Sequence, residues 1–356
     1  MIKPPISAAG RIGLAALVSL MMVVGASAEP RSSTDNPIVD HHMHIFSPES
    51  ARVLKISCAR LGPIKCPPEI STSSSTGQDA VRALDGAGIQ RGVLLSTGYF
   101  YGSPDVADLN LDVAAETRAE NSFVVAQAKA SCGRLLAFIS VDPLSSNALN
   151  EIAYWGKAGG AAGLKLHLEN SDFDFRSPRE VSKLAAIFRL AAREHFPIVI
   201  HLETRAKAYG AQDVDIFLAK VAPFAGRAPI QVAHTAGGGG VSSNSLAALG
   251  EFANAFEHDP QGTKNIFFDL AMVPDEIANA GKMSASADNV SKLKGLMQRI
   301  GLKRFVLGSD WTYPLILEKY YADEKATLNF SEEDWRLLAS NVAPYVPTAK
   351  ALGACR

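Results

Sequence analysis

The sequence has almost no net charge: 35 Lys and Arg stand against 36 Asp and Glu, a formal balance of −1 over 356 residues. No basic tract or zinc-finger spacing accompanies that balance, so the long-range attraction on which nucleic-acid binders depend is missing. No G-x-G-x-x-G follows the first strand-like segment, which removes the usual sign of a dinucleotide-binding fold. There is no G-x-S-x-G either, and with it goes the nucleophile elbow of serine hydrolases. Cysteine is scarce, at four residues (Cys58, Cys66, Cys132 and Cys355), and no C-x-x-C occurs. What is present is ordinary globular composition, 47% hydrophobic and 20% charged, with length for a large core.

The N-terminus has a different character. Lys3 and Arg11 precede an apolar run of 13 residues from Ile12 to Val24, followed by Ala26-Ser27-Ala28 and a polar stretch from Glu29 to Asn36. That is the order of a secretory signal peptide cut after Ala28. The apolar run is short of the roughly 20 residues a membrane span needs. No cysteine follows the cleavage position to take a lipid, and no arginine pair marks twin-arginine export. Sec-type secretion, periplasmic or extracellular, is therefore expected, with residues 29–356 as one domain and no membrane attachment after cleavage. Without Lys3 and Arg11 the mature chain has 33 basic against 36 acidic residues, a net −3. In an oxidising compartment four cysteines permit disulfides. Cys58 and Cys66 lie close together in a proline-bearing, loop-like stretch and are expected to pair, leaving Cys132 for Cys355.

Eight short apolar, β-branched runs recur along the chain: Ile38–His44, Arg91–Ser96, Leu135–Val141, Ala162–His167, Pro197–Leu202, Pro229–His234, Asn265–Ala271 and Arg304–Ser309. Amphipathic helical stretches separate several of them. The clearest runs from Pro178 to about His195. Ser177 is a natural N-cap, Pro178 suits the first helical position and Glu180 completes a capping box. Val181, Leu184, Ile187, Phe188 and Ala191 share one face. Another helix begins after Ser331, with Trp335, Leu338 and Val342 on one side. Alternating strands and helices imply a parallel sheet with right-handed crossovers. Eight such units predict a single-domain α/β fold, a (β/α)8 TIM barrel. The stretch from Phe46 to Gln90 exceeds a simple crossover and is expected as an extended loop forming a partial lid.

Five of the eight histidines (His42, His44, His167, His201 and His234) fall at the C-terminal ends of these strands, where barrel active sites lie. His42 and His44, two apart on a strand, point to one side. Asp310 follows strand eight, which in a closed barrel lies beside strand one. Three His and a carboxylate with an open position suit one catalytic divalent ion, Zn2+ or Mn2+. Lys165 shares a side of strand four with His167. A carboxylate such as Glu169 or Glu203 could pair with it, yet an unpaired ammonium is costly inside a barrel. Glu203 and Arg205 follow His201 and are candidates to touch substrate. The glycine run 237–240 is expected as a flexible loop over the site, and Asp269 as a supporting group. Trp311 and Tyr313 suit either a substrate wall or core packing. By alternation His41 should point away from the metal, and His195 and His258 should be surface or helix-end residues.

The ordered set Val39-Asp40-His41-His42-Met43-His44, Gly163-Leu164-Lys165-Leu166-His167, Ile200-His201, Ala233-His234 and Leu307-Gly308-Ser309-Asp310-Trp311 resembles the amidohydrolase superfamily. It is most similar to the amidohydrolase-related branch that holds lactonases and non-oxidative decarboxylases. The resemblance covers nearly the whole mature chain, including the closing segment from Leu337 to Ala343. It implies that His42, His44, His201 and Asp310 ligate one metal, with His234 just off it beside the bound water. Some relatives hold a second metal through a carboxylated strand-four Lys. Lys165 is the candidate here, but His167 stands nearer the strand end, and a single metal is expected.

On that reading Asp310 and His234 are catalytic, and Lys165, His167 and Glu203 bind substrate. A divalent ion lowers the pKa of its water from about 15.7 towards about 7. Asp310 can accept the proton and return it to the leaving group. Hydrolysis of a carboxylic ester, lactone or amide of a small molecule is the leading expectation, since an exported enzyme needs only water for it. Non-oxidative decarboxylation of an unsaturated or aromatic acid uses the same groups, and a barrel that binds without turnover is the third reading. The sequence indicates a small-molecule substrate and no nucleic-acid partner, and leaves a homo-oligomer open.

Overall fold

The computed structural model describes residues 35–61, 73–273, 286–311 and 316–347. The predicted signal segment, Cys66, Cys355 and Tyr313 lie outside the described residues. Eight strands follow one another: β1 (Val39–Met43), β2 (Arg91–Leu95), β3 (Leu135–Ser140), β4 (Gly163–His167), β5 (Ile198–His201), β6 (Ile230–Val232), β7 (Ile266–Asp269) and β8 (Phe305–Val306). Each pairs in parallel with the next, in chain order. The segment after β8 closes the ring on β1. His41 N donates to Leu307 O at 3.1 Å, Asp310 N to His42 O at 2.7 Å, and Met43 bridges Trp311. This is the (β/α)8 barrel that the sequence predicts.

Helices α1 (Pro48–Leu61), α2 (Gly77–Gly86), α3 (Val113–Ala130), α4 (Ala148–Ala158), α5 (Pro178–Arg193), α6 (Ala211–Lys220), α7 (Ser243–His258), α8 (Ala287–Ile300), α9 (Leu317–Leu328) and α10 (Glu332–Ser340) lie between and after the strands. Barrel strands are covered on both faces, so they read as continuous apolar runs; β1, β2 and β3 are buried along their whole length. One core lies between strands and helices, including Leu84, Ile152, Phe188, Phe217, Phe252, Phe268 and Trp335. A second fills the barrel, where Val39, Val93, Phe138, Val199 and Phe267 pack with Ala343 and Val346 of the closing segment.

Four local expectations change. Ser177 caps α5 as predicted, but the Glu180 carboxylate accepts from Asp174 N at 2.8 Å instead of closing the box on Ser177. Val342 lies beyond α10 and is 39% exposed; Asn341 Nδ2 donates to Leu302 O and Phe305 O, which draws the chain out of the helix first. The insertion after β1 carries α1 and α2, and Cys58 sits on α1 rather than in a loop. Cys58 and Cys132 are both disulfide-bonded, while their expected partners fall outside the described residues. Finally, the β1–β2 register slips between Asp40 and Met43, an irregularity of the kind that re-aims side chains beside active sites. His41 is directed to the closing segment, where Ala343 N donates to its Nε2 at 3.1 Å.

Candidate metal centre

His42 and His44 leave β1 with their Nε2 atoms 3.2 Å apart. Asp310 Oδ1 lies 3.2 Å from the first and 3.1 Å from the second. Residues from the first strand and from the segment after the last thus meet where the ring closes. Asp310 is held at φ +60°, a left-handed conformation that non-glycine residues seldom adopt and that clusters at functional sites.

The far side of each ring decides what the near side can do. His42 Nδ1 bonds the Asp269 carboxylate at 3.0 Å, His44 Nδ1 the Leu95 carbonyl at 2.7 Å, and His234 Nδ1 the Ala271 carbonyl at 2.6 Å. All three partners are acceptors, so each Nδ1 donates, and in a neutral ring the Nε2 then presents a lone pair. With the rings neutral, two lone pairs and a carboxylate oxygen face one another within hydrogen-bond distance. Lys165 Nζ, 3.4 Å from His42 Nε2, reaches one of the three. A divalent cation would satisfy all three at once, with Asp269 behind His42 in the carboxylate–histidine arrangement common at metal sites. The donor set fits such an ion.

Electrostatics agree. Burial, helped by the Lys165 charge, pushes His42 down to about 3, so the ring is neutral. Burial alone would raise Asp310, but His42 and His44 outweigh it and hold the carboxyl well below its usual range. Burial opposes Asp269 too, and its contacts with His42 and His234 keep it ionised. Asp269 Oδ1 accepts from His234 N and Ala271 N, while Oδ2 accepts from Gln231 Nε2.

Of the four predicted ligands, His201 stands apart from the His42–His44–Asp310 cluster; a second grouping, His42–His234–Asp269, shares His42. The His201 ring is buried and neither nitrogen makes a hydrogen bond, the nearest partner being Glu169 Oε2 at 3.5 Å. Its ring lies 5.1 Å from His234 and stacks on His167 at 3.8 Å. His234 follows β6 at φ +52°, with Thr235 and Ala236 also left-handed. Lys165 is fully buried and lowered to about 8 by that burial, against the pull of Asp269 and Asp310. Its neighbour is His42 rather than a glutamate. Burial first, then the charge of Glu169, raises Glu203 to about 7. Arg205 is taken up by Asp105, at 2.9 and 2.7 Å, and by Glu169 O. The glycine run 237–240 is anchored at its ends and open in the middle: Gly237 and Gly240 are buried, Gly240 N donates to Met272 O, and Gly238 is exposed, although a Cβ on it would lie 2.7 Å from Glu203 Oε2. Trp311 packs partly buried against the core. His195 and His258 are exposed at helix ends.

Sequence reasoning passed over Asp40, Gln231 and Tyr99. Asp40 accepts from His42 N and Ser309 N, both at 3.1 Å, and ties β1 to the Asp310 segment. Gln231 spans Asp269 and His41 O. Tyr99 packs on His167; its position just after β2 is the signal that could have found it.

The protein-family model for amidohydrolases matches residues 39–339. The chain belongs to the amidohydrolase family. No curated protein matches this amidohydrolase in sequence. Solved structures share its fold. A probable 2-pyrone-4,6-dicarboxylic acid hydrolase from Acinetobacter baumannii superposes with TM-score 0.52 at 15% identity, covering 84% of this chain and 95% of that one. A 5-carboxyvanillate decarboxylase from Novosphingobium aromaticivorans with bound manganese gives 0.55 at 13%, covering 88% and 98%. An amidohydrolase from Burkholderia multivorans with bound zinc gives 0.55 at 12%, covering 88% and 99%.

Proposed function

We propose that this amidohydrolase is a secreted, metal-dependent hydrolase that cleaves a carboxylic ester, lactone or amide bond in a small molecule. The observation that carries the reading is the convergence of the His42 and His44 lone pairs on Asp310, a donor set that calls for a divalent ion. Zinc and manganese in two similar structures favour those ions. His42, His44 and Asp310 would hold the metal, with His201, set apart across His234 and without a hydrogen bond at either ring nitrogen, as the fourth ligand. When bound, the ion supplies Lewis acidity and brings the pKa of water towards about 7. Asp310, held ionised, accepts the proton of the attacking water and returns it to the leaving group. His234, with its Nε2 lone pair, orients that water. Lys165, His167 and Glu203 bind substrate, the ammonium lying where a developing oxyanion gains most.

Decarboxylation of an unsaturated or aromatic acid is the second reading, favoured by the several decarboxylases among the similar structures. A screen of protein reconstituted with Zn2+ or Mn2+, over lactones, esters, amides and aromatic acids, tests both. Water-addition products that vanish with Asp310→Asn support the hydrolase. Carbon dioxide without such products moves the assignment to decarboxylation, and turnover undamaged by Asp310→Asn removes the mechanism.

A further inference from the structure

Five imidazoles form a row across the barrel mouth. His44, His42, His234, His201 and His167 follow one another with ring centroids 5.2, 4.7, 5.1 and 3.8 Å apart, and Tyr99 continues the row 4.9 Å beyond His167. The row is not uniform in its protons. His42, His44 and His234 are bound through Nδ1–H to acceptors. His167 is the reverse: the Asn170 backbone N–H donates to its Nδ1 at 3.2 Å. An imidazole that accepts at Nδ1 is neutral and carries its proton on Nε2. That Nε2–H has no hydrogen-bond partner among the described residues, and it is not among their buried, unpaired polar atoms. The ring stacks on His201, 12° from its plane, and packs on Tyr99.

We propose that His167 is a specificity residue whose Nε2–H binds a carboxylate or carbonyl oxygen on the part of the substrate remote from the reacting carbon. The placement follows from the grouping of the side chains: His167 contacts His201 and Tyr99 and lies outside both the His42–His44–Asp310 and the His42–His234–Asp269 clusters. Strand β4 then offers two donors in sequence, Lys165 beside His42 and His167 further out. The substrate class is a small molecule with a second oxygen acceptor in addition to the group that reacts. The three rings held through Nδ1–H face the metal centre, and His167, of opposite tautomer, faces the ligand. The inference rests on the proposed reading only in taking the metal centre as the place where the reacting group lies.

The test is a binding measurement, independent of turnover. Mn2+-loaded protein is titrated calorimetrically with benzene-1,3-dicarboxylate and with benzoate. Wild type should prefer the dicarboxylate by about tenfold, the order expected for one added hydrogen bond to a charged acceptor. In His167→Asn the side-chain oxygen can replace Nδ1 towards Asn170 while the outward donor is lost. That variant should erase the preference and leave metal content and benzoate affinity within about twofold of wild type. His167→Gln carries an amide N–H near the Nε2 position and should restore most of the preference. An equal preference in wild type and His167→Asn overturns the proposal, as does a wild type that binds the two probes alike or binds neither. Loss of metal in His167→Asn would also overturn it, by making the residue part of the metal site. Failure to find hydrolysis or decarboxylation removes the proposed function while leaving this preference to stand or fall by itself.

Discussion

His41 and His42 are neighbours in sequence and both are fully buried, yet they are treated in opposite ways. His41 donates from Nδ1 to Leu307 O at 2.9 Å and accepts at Nε2 from Ala343 N. A neutral imidazole has one donor and one acceptor, and both are used. His42 has its donor used by Asp269, and its Nε2 faces His44 Nε2 and the Asp310 carboxylate, with the Lys165 ammonium at 3.4 Å as the one donor in reach among the described residues. The same contrast holds for the two regions they belong to. Inside the barrel towards the closing segment, Tyr345 Oη donates to Gln231 Oε1 at 2.6 Å and the apolar side chains interlock. At the mouth, His201 is unsatisfied and His234, Thr235, Ala236, Met272 and Asp310 are all left-handed. Half of the ten left-handed non-glycine residues described lie at this mouth together with His201, and such places are where local rules are expected to yield to function.

The sharpest way to break this contrast is Asp310→Asn. A positioned proton acceptor contributes about 10²- to 10⁴-fold, so kcat should fall by that order while the melting curve barely moves. If activity falls only in step with stability, the mouth is no different from the rest of the barrel. Phe138→Ala is the reciprocal test. Phe138 fills the barrel interior against Gly163, where a Cβ would lie 2.3 Å from its ring, and against Tyr345 at 4.9 Å. Truncation should destabilise by about 3–5 kcal/mol in urea denaturation. Among molecules that remain folded, KM and metal content should be unchanged.

The same division explains what could be read from sequence. Strands covered on both faces must be apolar throughout, so all eight were visible as runs. Barrel closure then brought Asp310 to His42 and His44 without any contact information. Helix α1 was missed although it starts as α5 does, with a serine before a proline: Ser47 Oγ accepts from Ser50 N at 3.1 Å, and Pro48 opens the helix. Pro63, Pro67 and Pro68, downstream, had made the whole stretch look like loop. The direction of His41 was right in outcome but not in cause, because strand alternation fails at the register slip that sends it towards Ala343. Tautomers were out of reach altogether. They depend on Leu95, Asp269 and Ala271 carbonyl or carboxylate oxygens, whose placement only the closed barrel defines. For the same reason the separation of His201 from the ligand cluster could not be read from a strand-end pattern.

A smaller effect is expected from acid. Burial lowers His41 to about 4, below its unfolded value of 6.5. The unfolded chain therefore binds this proton first as pH falls. Above about 6.5 neither state is protonated and nothing is lost. Between 6.5 and 4 stability drops, by up to about 3 kcal/mol from this group. His41→Asn keeps a donor for Leu307 O and loses the acceptor for Ala343 N, so it should be about 1 kcal/mol less stable at pH 7. It also has no proton to gain, so the gap should close and reverse by pH 4. Parallel stability curves for the two proteins would mean that His41 is not the fully satisfied neutral ring described above.

Asp269 connects the two regions, and its replacement is the finest test of the contrast. Its carboxylate accepts four hydrogen bonds: His42 Nδ1 and Gln231 Nε2 on one oxygen, His234 N and Ala271 N on the other. In Asp269→Asn one of those oxygens becomes an NH2 group. The backbone donors of His234 and Ala271 cannot change, so the remaining oxygen should stay with them and the NH2 should face His42. His42 would then accept at Nδ1 and carry its proton on Nε2, the tautomer that cannot ligate. Loss of such a partner behind a ligand typically weakens metal binding by about 10- to 100-fold. Zinc affinity measured by competition should fall by that amount, and His41, losing the upward pull of the Asp269 charge, should resist protonation further. Unchanged zinc affinity would show that His42 is not fixed from behind by Asp269, and the lone-pair argument for the metal centre would lose its first member.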